Sequence, residues 1–173
     1  HGTRAVSAGE GESCEADAVH ANRPGSVCAV LTADCLPVLF CSRDGTRIAA
    51  VHAGWRGLQA GILESTLKTL ETAPENILAW LGPAIGPTAF EVGPEVRDAF
   101  LVMDPGAEKA FRPSPSGRWF ADIYGLARRR LESAGIGRSF GGGFCTYSDA
   151  EHFYSFRRDG ATGRMATLIW MEG

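Results

Sequence analysis

Long hydrophobic runs are absent from this sequence, and no apolar stretch approaches the roughly 20 residues that a membrane-spanning helix needs. Neither sign of charge is in large excess, because 17 Lys and Arg residues stand against 20 Asp and Glu residues. The 22 glycines follow no three-residue period, which excludes a collagen-like chain. The sequence therefore predicts neither a membrane protein nor a globally basic nucleic-acid binder, and residues 1–173 suit one soluble domain.

Cysteine occurs five times and in no pattern typical of paired thiols. The cysteines at positions 14, 28, 35, 41 and 145 form neither a CxxC motif nor a zinc-finger spacing. An odd number of cysteines in a chain of this length argues against a disulfide framework, and no secretory signal is visible. We therefore expect reduced thiols and a cytoplasmic location.

Strand and helix patterns are mixed along the sequence, without a regular βαβ alternation. Apolar runs typical of buried strands lie at 27–32, 36–41, 46–52, 76–81, 144–147 and 165–171. Apolar residues at helical spacing lie at 57–71, 94–102 and 119–133. Residues 1–25 are typical of loops with a short strand, and the proline-rich stretch 104–118 is typical of an exposed loop. The sequence therefore predicts an α+β fold, with mixed β-sheets flanked by helices.

Cys35 and His52 are the most informative pair of reactive side chains. The segment Ser42-Arg43-Asp44-Gly45 predicts a hairpin turn, which places Cys35 within about one residue of lying opposite His52. Cross-strand neighbours are about 5 Å apart, so a thiol and an imidazole meet at one end of the hairpin. This pairing fits a Cys–His nucleophilic dyad, two ligands of a metal such as Zn²⁺, or two unrelated core residues.

Polar or small residues adjoin both members of this pair. Asp34 directly precedes Cys35 at the end of an otherwise apolar strand, and Gly54 allows other groups to approach His52 closely. Arg56 lies at the start of the predicted helix, where a helix N-terminus favours anions. Arg56 is therefore a candidate ligand for a phosphate or a ribose hydroxyl, or else a partner in a surface salt bridge.

Four segments in order along the chain are similar to one known family: TADCLPVLF, HAGWRG, GPAIGPTAFEVG and CTYSDAEHFYSFRRDGATGRMATLIW. The family is that of the zinc-dependent purine nucleoside phosphorylases formerly described as laccase-domain or multicopper polyphenol oxidases. The opening His-Gly also resembles the end of the family's Gln-x-His-Gly segment. The resemblance implies a four-layer α/β/β/α arrangement of the toxin-deamidase-like cysteine hydrolase type.

The resemblance implies that His1, Cys35 and His52 bind one zinc ion. Three protein ligands and an open fourth position are what a catalytic zinc site requires. Copper can replace zinc in many sites with nitrogen and sulfur ligands. Near such a site, Asp34 is expected to carry a proton and Arg56 to hold phosphate, so that Asp34, Cys35 and Arg56 are the expected catalytic residues.

The activity implied by the resemblance is phosphorolysis of adenosine, inosine, guanosine and 5′-methylthioadenosine, together with hydrolytic deamination of adenosine. Purine nucleosides and phosphate are thus the expected partners, with neither nucleic acid nor membrane. A metal-free hydrolase or amidase would instead use Cys35 as nucleophile and His52 as base. A multicopper oxidase needs many more histidines than the four present. A non-catalytic metal- or nucleoside-binding protein is the third alternative.

Several positions differ from the pattern of the family that the chain resembles. Thr88 and Ala89 stand where relatives often carry cysteine, and His152 stands where arginine is common. We expect His152 to be a surface residue, and His20 has no partner at ligand spacing. In that family several dozen residues precede the position of His1, so we expect the single domain 1–173 to lack its N-terminal segment.

Overall fold

The computed structural model describes residues 1–9 and 15–172, so that Cys14 lies outside the described residues. Strands and helices are mixed along the chain, which confirms the predicted α+β class. The strands are β1 (Ala5–Ser7), β2 (Ala18–Ala21), β3 (Val27–Thr32), β4 (Leu36–Ser42), β5 (Ile48–Ala53), β6 (Ile77–Leu81), β7 (Glu91–Val92), β8 (Phe111–Pro113), β9 (Trp119–Ala121), β10 (Ser139–Gly141) and β11 (Met165–Trp170). The α-helices are α1 (Trp55–Ala60), α2 (Ile62–Thr69), α3 (Pro94–Met103), α4 (Ile123–Ser133) and α5 (Phe156–Asp159), and 3₁₀ turns lie at Pro74–Asn76 and Pro105–Ala110.

The central sheet has six strands in the order β1-β2-β5-β4-β6-β10. Its two outer pairs, β1 with β2 and β6 with β10, are parallel, whereas its inner strands pair antiparallel. Strands β3 and β11 form a separate antiparallel ribbon, and β7, β9 and β8 form a small third sheet. The sheets are therefore mixed, as the sequence predicts.

Both faces of the central sheet are buried. Along β4 and β5, alternate residues such as Val38 and Val51 belong to the core that includes α2 and α4. The residues between them, such as Leu39 and Ala50, pack in a second core with the β3–β11 ribbon. This coverage explains why β4 and β5 read as nearly continuous apolar runs. By the same alternation, His52 lies on the face that the ribbon covers.

The predicted hairpin between β4 and β5 is present, and its register differs slightly from the expected one. Asp44 accepts hydrogen bonds from the Ser42 hydroxyl (2.5 Å) and the Thr46 N–H (3.1 Å), which shape the turn. His52 lies opposite Pro37, so Cys35 is two positions from direct opposition rather than one. The longer turn, which delays β5 until residue 48, accounts for the difference.

Two predicted helices are interrupted in ways that local chemistry explains. The predicted helix at 57–71 is two helices, because Gly61 adopts a left-handed conformation with φ +98° between α1 and α2. The predicted helix at 119–133 begins only at residue 123. Asp122 caps it by accepting a hydrogen bond from the Gly125 N–H, and Trp119–Ala121 forms strand β9 instead.

Two further predictions of local structure are wrong. The stretch 104–118 is not only a loop, since it contains a 3₁₀ turn and strand β8 with buried Ala107 and Phe111. Residues 144–147 form no strand; the neighbouring strand is β10, which pairs with β6. Glycines 141–143 all have positive φ angles, and they end β10 by turning the chain away from the sheet.

Tyr124 on α4 joins two loops close to the predicted site. Its buried hydroxyl accepts a hydrogen bond from the Ala84 N–H (2.7 Å) and lies 3.2 Å from the carbonyl oxygens of Gly82 and Phe144. Burial raises the pKa of Tyr124 to about 12, so the hydroxyl stays protonated and can donate to a carbonyl.

Replacing Tyr124 by phenylalanine should lower the free energy of unfolding by about 1–3 kcal/mol, because a buried N–H group loses its acceptor. Urea denaturation followed by circular dichroism measures this loss. Tyr154→Phe, at an exposed tyrosine, is the matched control and should change stability little. Equal stability of both variants would mean that the Tyr124 hydroxyl does not hold the two loops.

Candidate metal centre

Three side chains with metal-binding atoms converge at one end of the central sheet. His1, Cys35 and His52 each offer one donor atom, and these three atoms lie within 4.8 Å of one another. The Cys35 Sγ is 3.6 Å from the His1 Nε2, and the two imidazole rings have centroids 4.9 Å apart. The structure thus brings together the three residues for which the family resemblance implies metal binding.

Each of the three donors comes from a different segment of the chain. His1 lies before β1, Cys35 lies in the turn that joins β3 to β4, and His52 lies near the end of β5. Gly54 makes this convergence possible, because a Cβ atom there would lie 2.6 Å from the His1 Cδ2 and 3.0 Å from the Cys35 Sγ. The close approach that the sequence predicts at Gly54 is confirmed.

Asp17 orients His52, and the sequence analysis did not identify it. Asp17 directly precedes β2, whose pairing with β5 brings it opposite His52. One carboxylate oxygen lies 2.8 Å from the His52 Nδ1, and the other accepts the Gly2 N–H at 2.5 Å. A carboxylate on Nδ1 directs the Nε2 lone pair of an imidazole toward a metal, which is a common arrangement behind metal-binding histidines.

Burial and neighbouring charge act on the titration of Cys35 and Asp17. Burial, reinforced by the Asp34 carboxylate, raises the pKa of Cys35 to about 11, although the positive charge of Arg164 acts in the opposite direction. Burial also acts to raise the pKa of Asp17, but hydrogen bonds from His52 and the Gly2 N–H outweigh it and lower that pKa. Cys35 without a cation is therefore a neutral thiol, whereas Asp17 is ionised.

A cavity of about 420 Å³ opens over the three donors. This volume falls within the range of roughly 300–1,000 Å³ that is usual for small-molecule sites. Thr32 lines it and is 2% exposed, and its hydroxyl has no hydrogen-bond partner in the described part of the chain. A large share of the wall is apolar and comes from Leu31, Trp55, Ile85, Phe90, Ile123 and Phe156.

Asp34 lines the same cavity and connects distant segments. Its Oδ1 accepts the Thr146 hydroxyl and its Oδ2 accepts the main-chain N–H of Arg157, both at 2.6 Å. Asp34 also has a φ of +85°, which is unusual for a residue other than glycine. These contacts fix the turn that carries Cys35 against the C-terminal part of the chain.

The arginines at the cavity differ from the one that the sequence analysis selected. Arg56 is exposed in the six-residue helix α1, and its guanidinium lies over the Trp55 ring at 4.5 Å from the centroid. Arg56 does not line the cavity, whereas Arg157 and Arg164 do. Both belong to the RRDGATGR segment, which has neither helical nor strand periodicity that could have placed them.

The remaining histidines lie away from this cluster. His152 is exposed and its ring pairs with the Asp149 carboxylate at 2.9 Å, in agreement with the predicted surface position. His20 lies in β2, opposite Ala49 of β5. Cys28, Cys41 and Cys145 are free thiols like Cys35, as expected for reduced cysteines.

Removal of the Asp17 carboxylate should weaken metal binding. We expect Asp17→Ala to lower metal affinity about 10–100-fold, as is usual when a carboxylate behind a histidine ligand is removed. Competition with a chromophoric chelator measures the affinity. Asp149→Ala deletes the other carboxylate that pairs with a histidine, at an exposed position, and should leave the affinity unchanged. An unchanged affinity in Asp17→Ala would argue against the orienting role.

Within the described ranges, the fold and this cluster define an α+β chain with one candidate centre for a metal ion. The chain belongs to the multi-copper polyphenol oxidoreductase laccase family, whose model matches residues 1–172. This match agrees with the resemblance drawn from the four sequence segments. None of the helices in the described ranges has the length and hydrophobicity of a membrane span.

Individual relatives are similar over nearly the whole chain. Purine nucleoside phosphorylase YfiH of Escherichia coli (strain K12) is 60% identical over 159 residues, which cover 92% of this chain and 65% of the relative. A purine nucleoside phosphorylase of Pseudomonas aeruginosa (strain PAO1) is 54% identical over 173 residues, covering 99% of this chain and 72% of the relative. A crystal structure of a Neisseria meningitidis protein superposes with a TM-score of 0.97 at 50% identity, over 99% of this chain and 72% of that one. The chain thus spans about two thirds of the length of these relatives.

Proposed function

We propose that this chain carries the metal-binding centre of a purine nucleoside phosphorylase. The observation that carries the proposal is the convergence of His1, Cys35 and His52 in a cavity with an aromatic wall and two arginines. The names of the relatives in Escherichia coli and Pseudomonas aeruginosa support the same activity.

The donor set fits a single zinc ion. Bonds of about 2.3 Å to sulfur and about 2.0–2.1 Å to nitrogen place these two donors about 3.6 Å apart in a tetrahedral site. The distance of 3.6 Å between the Cys35 Sγ and the His1 Nε2 matches this value. When bound, a divalent cation at this place acts as a Lewis acid toward an oxygen atom of a substrate.

The cavity wall suits a purine nucleoside. Trp55, Phe90 and Phe156 offer flat apolar surfaces to a purine ring. Thr32 offers a buried hydroxyl without a protein partner in the described ranges, which a polar group of a ligand would satisfy. An apolar wall with a few polar groups is the usual composition of a small-molecule site.

Phosphorolysis exchanges one bond at the ribose C1′. The bond to the purine nitrogen breaks with its electron pair on the base, a bond to a phosphate oxygen forms, and the proton of hydrogen phosphate ends on the base. The chain's own contribution is to hold the two reactants together and exclude water. Asp34, at the cavity wall, is proposed to carry the proton. The role of phosphate ligand that the sequence suggests for Arg56 has no support from this cavity, because Arg56 does not line it.

The proposal also covers the identity of the metal, the substrates, a second activity, the location and the type of fold. We propose zinc as the metal, adenosine, inosine, guanosine and 5′-methylthioadenosine as substrates, deamination of adenosine as a second activity, and a cytoplasmic location. We also propose the four-layer α/β/β/α arrangement of toxin-deamidase-like cysteine hydrolases. The helices on one face of the central sheet and the β3–β11 ribbon on the other support this arrangement.

Chromatography of reaction products tests the proposal. The zinc-loaded protein is incubated with inosine or adenosine, with and without phosphate, beside a sample from which zinc has been removed by a chelator. We expect free base only when phosphate and zinc are both present, and inosine from adenosine without phosphate. Absence of both products at one zinc per chain would refute the nucleoside assignment. Oxidation of a phenol by the copper-loaded protein alone would favour the oxidase alternative.

A further inference from the structure

Two arginines contribute positive charge to the cavity that contains the metal donors. Arg157 follows the first residue of α5, and Arg164 directly precedes β11. Both side chains line the cavity, as do Cys35 and His52. Among the described residues, neither guanidinium has a carboxylate within ion-pair distance, since the ion pairs of the chain involve other arginines.

Neutral groups hold the Arg157 guanidinium in place. Its Nη1 donates to the main-chain carbonyl of Glu91 at 2.8 Å, and its central carbon lies 5.6 Å from the centroid of the Phe90 ring. A carbonyl and an aromatic face orient a guanidinium without neutralising its charge. The hydrogen bond from the Arg157 main-chain N–H to Asp34 fixes the backbone beneath the side chain.

Arg164 is held in the same manner. Its Nη1 donates to the carbonyls of Thr162 (2.8 Å) and Gly163 (3.0 Å). An arginine has five N–H donors, so each guanidinium keeps several donors for a ligand. Two oriented cations at the rim of one cavity, neither with a described carboxylate at ion-pair distance, are the chemistry that recognises a multiply charged oxyanion.

We propose that Arg157 and Arg164 form a binding site for a phosphate group, with Arg56 outside it. The proposal rests on the proposed function, because phosphorolysis requires phosphate in the cavity that holds the nucleoside. The phosphate group is either inorganic phosphate or the phosphoryl group of a purine nucleotide, since both present the same tetrahedral oxygens. Arg56 has its guanidinium 4.5 Å from the centroid of the Trp55 ring and does not line the cavity.

Binding of inorganic phosphate, followed by phosphorus NMR as protein is added, tests the site without relying on turnover. We expect the double variant Arg157→Gln/Arg164→Gln to weaken binding roughly tenfold or more, because charge-assisted hydrogen bonds are lost. Arg157→Lys and Arg164→Lys keep the charge and should show intermediate losses. Arg138→Gln removes an exposed arginine outside the cavity and is the control for loss of a positive charge elsewhere on the chain. Circular dichroism checks that every variant is folded.

A parallel titration with inosine and with inosine 5′-monophosphate separates the two sources of phosphate. If inorganic phosphate binds at the pair, the double variant loses phosphate affinity and keeps its affinity for inosine. If the nucleotide supplies the group, the double variant loses the preference for the monophosphate over inosine. Unchanged binding of both phosphate compounds in the double variant, or an equal loss in Arg138→Gln, overturns the proposal. So does loss of phosphate binding in Arg56→Ala alone.

The result is distinguishable from failure of the proposed function. Phosphate binding that depends on Arg157 and Arg164, in a protein that releases no base from inosine, supports the oxyanion site and refutes the phosphorylase. Base release that persists in the double variant with an unchanged KM for phosphate supports the phosphorylase and refutes the site. If the double variant has a raised KM for phosphate and an unchanged KM for inosine, both the oxyanion site and the phosphorylase function are supported.

Discussion

Replacing Cys35 by serine is expected to abolish both stoichiometric metal binding and turnover while the chain stays folded. A hydroxyl is a far weaker ligand for zinc than a thiolate. Removing a carboxylate that hydrogen-bonds a metal ligand typically lowers metal affinity 10–100-fold, so loss of the ligand itself should lower metal affinity more than about 100-fold. His52→Ala should behave alike. Metal content by mass spectrometry, product analysis and circular dichroism measure the three properties.

Cys41→Ser is the matched control for this substitution. Cys41 is a half-buried free thiol in β4 that is not among the three clustered donors, so its replacement should leave metal content and activity unchanged. Full activity in Cys35→Ser would refute the site assignment. Labelling with iodoacetamide adds a second criterion: a thiol bound to metal should be protected until a chelator is added, whereas a Cys35 nucleophile would react in the metal-loaded protein.

Substituting alanine for Gly54 is expected to disrupt metal binding by steric displacement alone. The added Cβ would lie 2.6 Å from the ring of His1, a contact that real side chains do not make, so the half-exposed His1 must move away. Gly54 itself has φ −62° and ψ 156°, angles that alanine adopts freely. We therefore expect metal affinity to fall on the order of 100-fold, as for loss of a ligand, with little change in the stability of the metal-free protein. Chelator competition and thermal unfolding measure the two quantities.

Gly137→Ala provides the control for the glycine substitution. A Cβ at Gly137 would have no atom within 4 Å, so this variant adds the same methyl group in open space. It should keep wild-type metal affinity. If Gly54→Ala binds metal as tightly as Gly137→Ala, then His1 is not held at the position that the structure gives it.

Local sequence patterns predict the parts of the fold that local interactions determine. The predicted strand 27–32 matches β3 at both ends, and the hairpin between β4 and β5 follows from its turn residues. The helix predicted at 119–133 is partly wrong, because residues 119–121 satisfy helical spacing and yet pair with β7 and β8. Sheet pairing of this kind joins distant segments, and no local pattern specifies it.

The residues of the candidate site are likewise predictable from the sequence only where a local pattern brings them together. Cys35 and His52 are found from the hairpin, because Cys35 directly precedes β4 and His52 lies on the next strand, β5. Asp17 is missed because it meets His52 only through the pairing of β2 with β5, across 35 positions of sequence. Arg157 and Arg164 are missed because Arg157 lies in the four-residue helix α5 and Arg164 in the loop before β11, and segments this short have no period to detect.

The three metal donors also have a consequence for the unfolded chain. His1 and Cys35 are separated by 34 positions, so a cation that joins them closes a long loop, and the bond to His52 closes a second one. Cross-links of this kind lower the conformational entropy of the unfolded ensemble and thereby favour the native state, as disulfides do. This chain has four described thiols and none of them is paired, so a cation bound to the three donors would take the place of a covalent bridge. Removing such a cation with a chelator should therefore lower the free energy of unfolding of the folded chain.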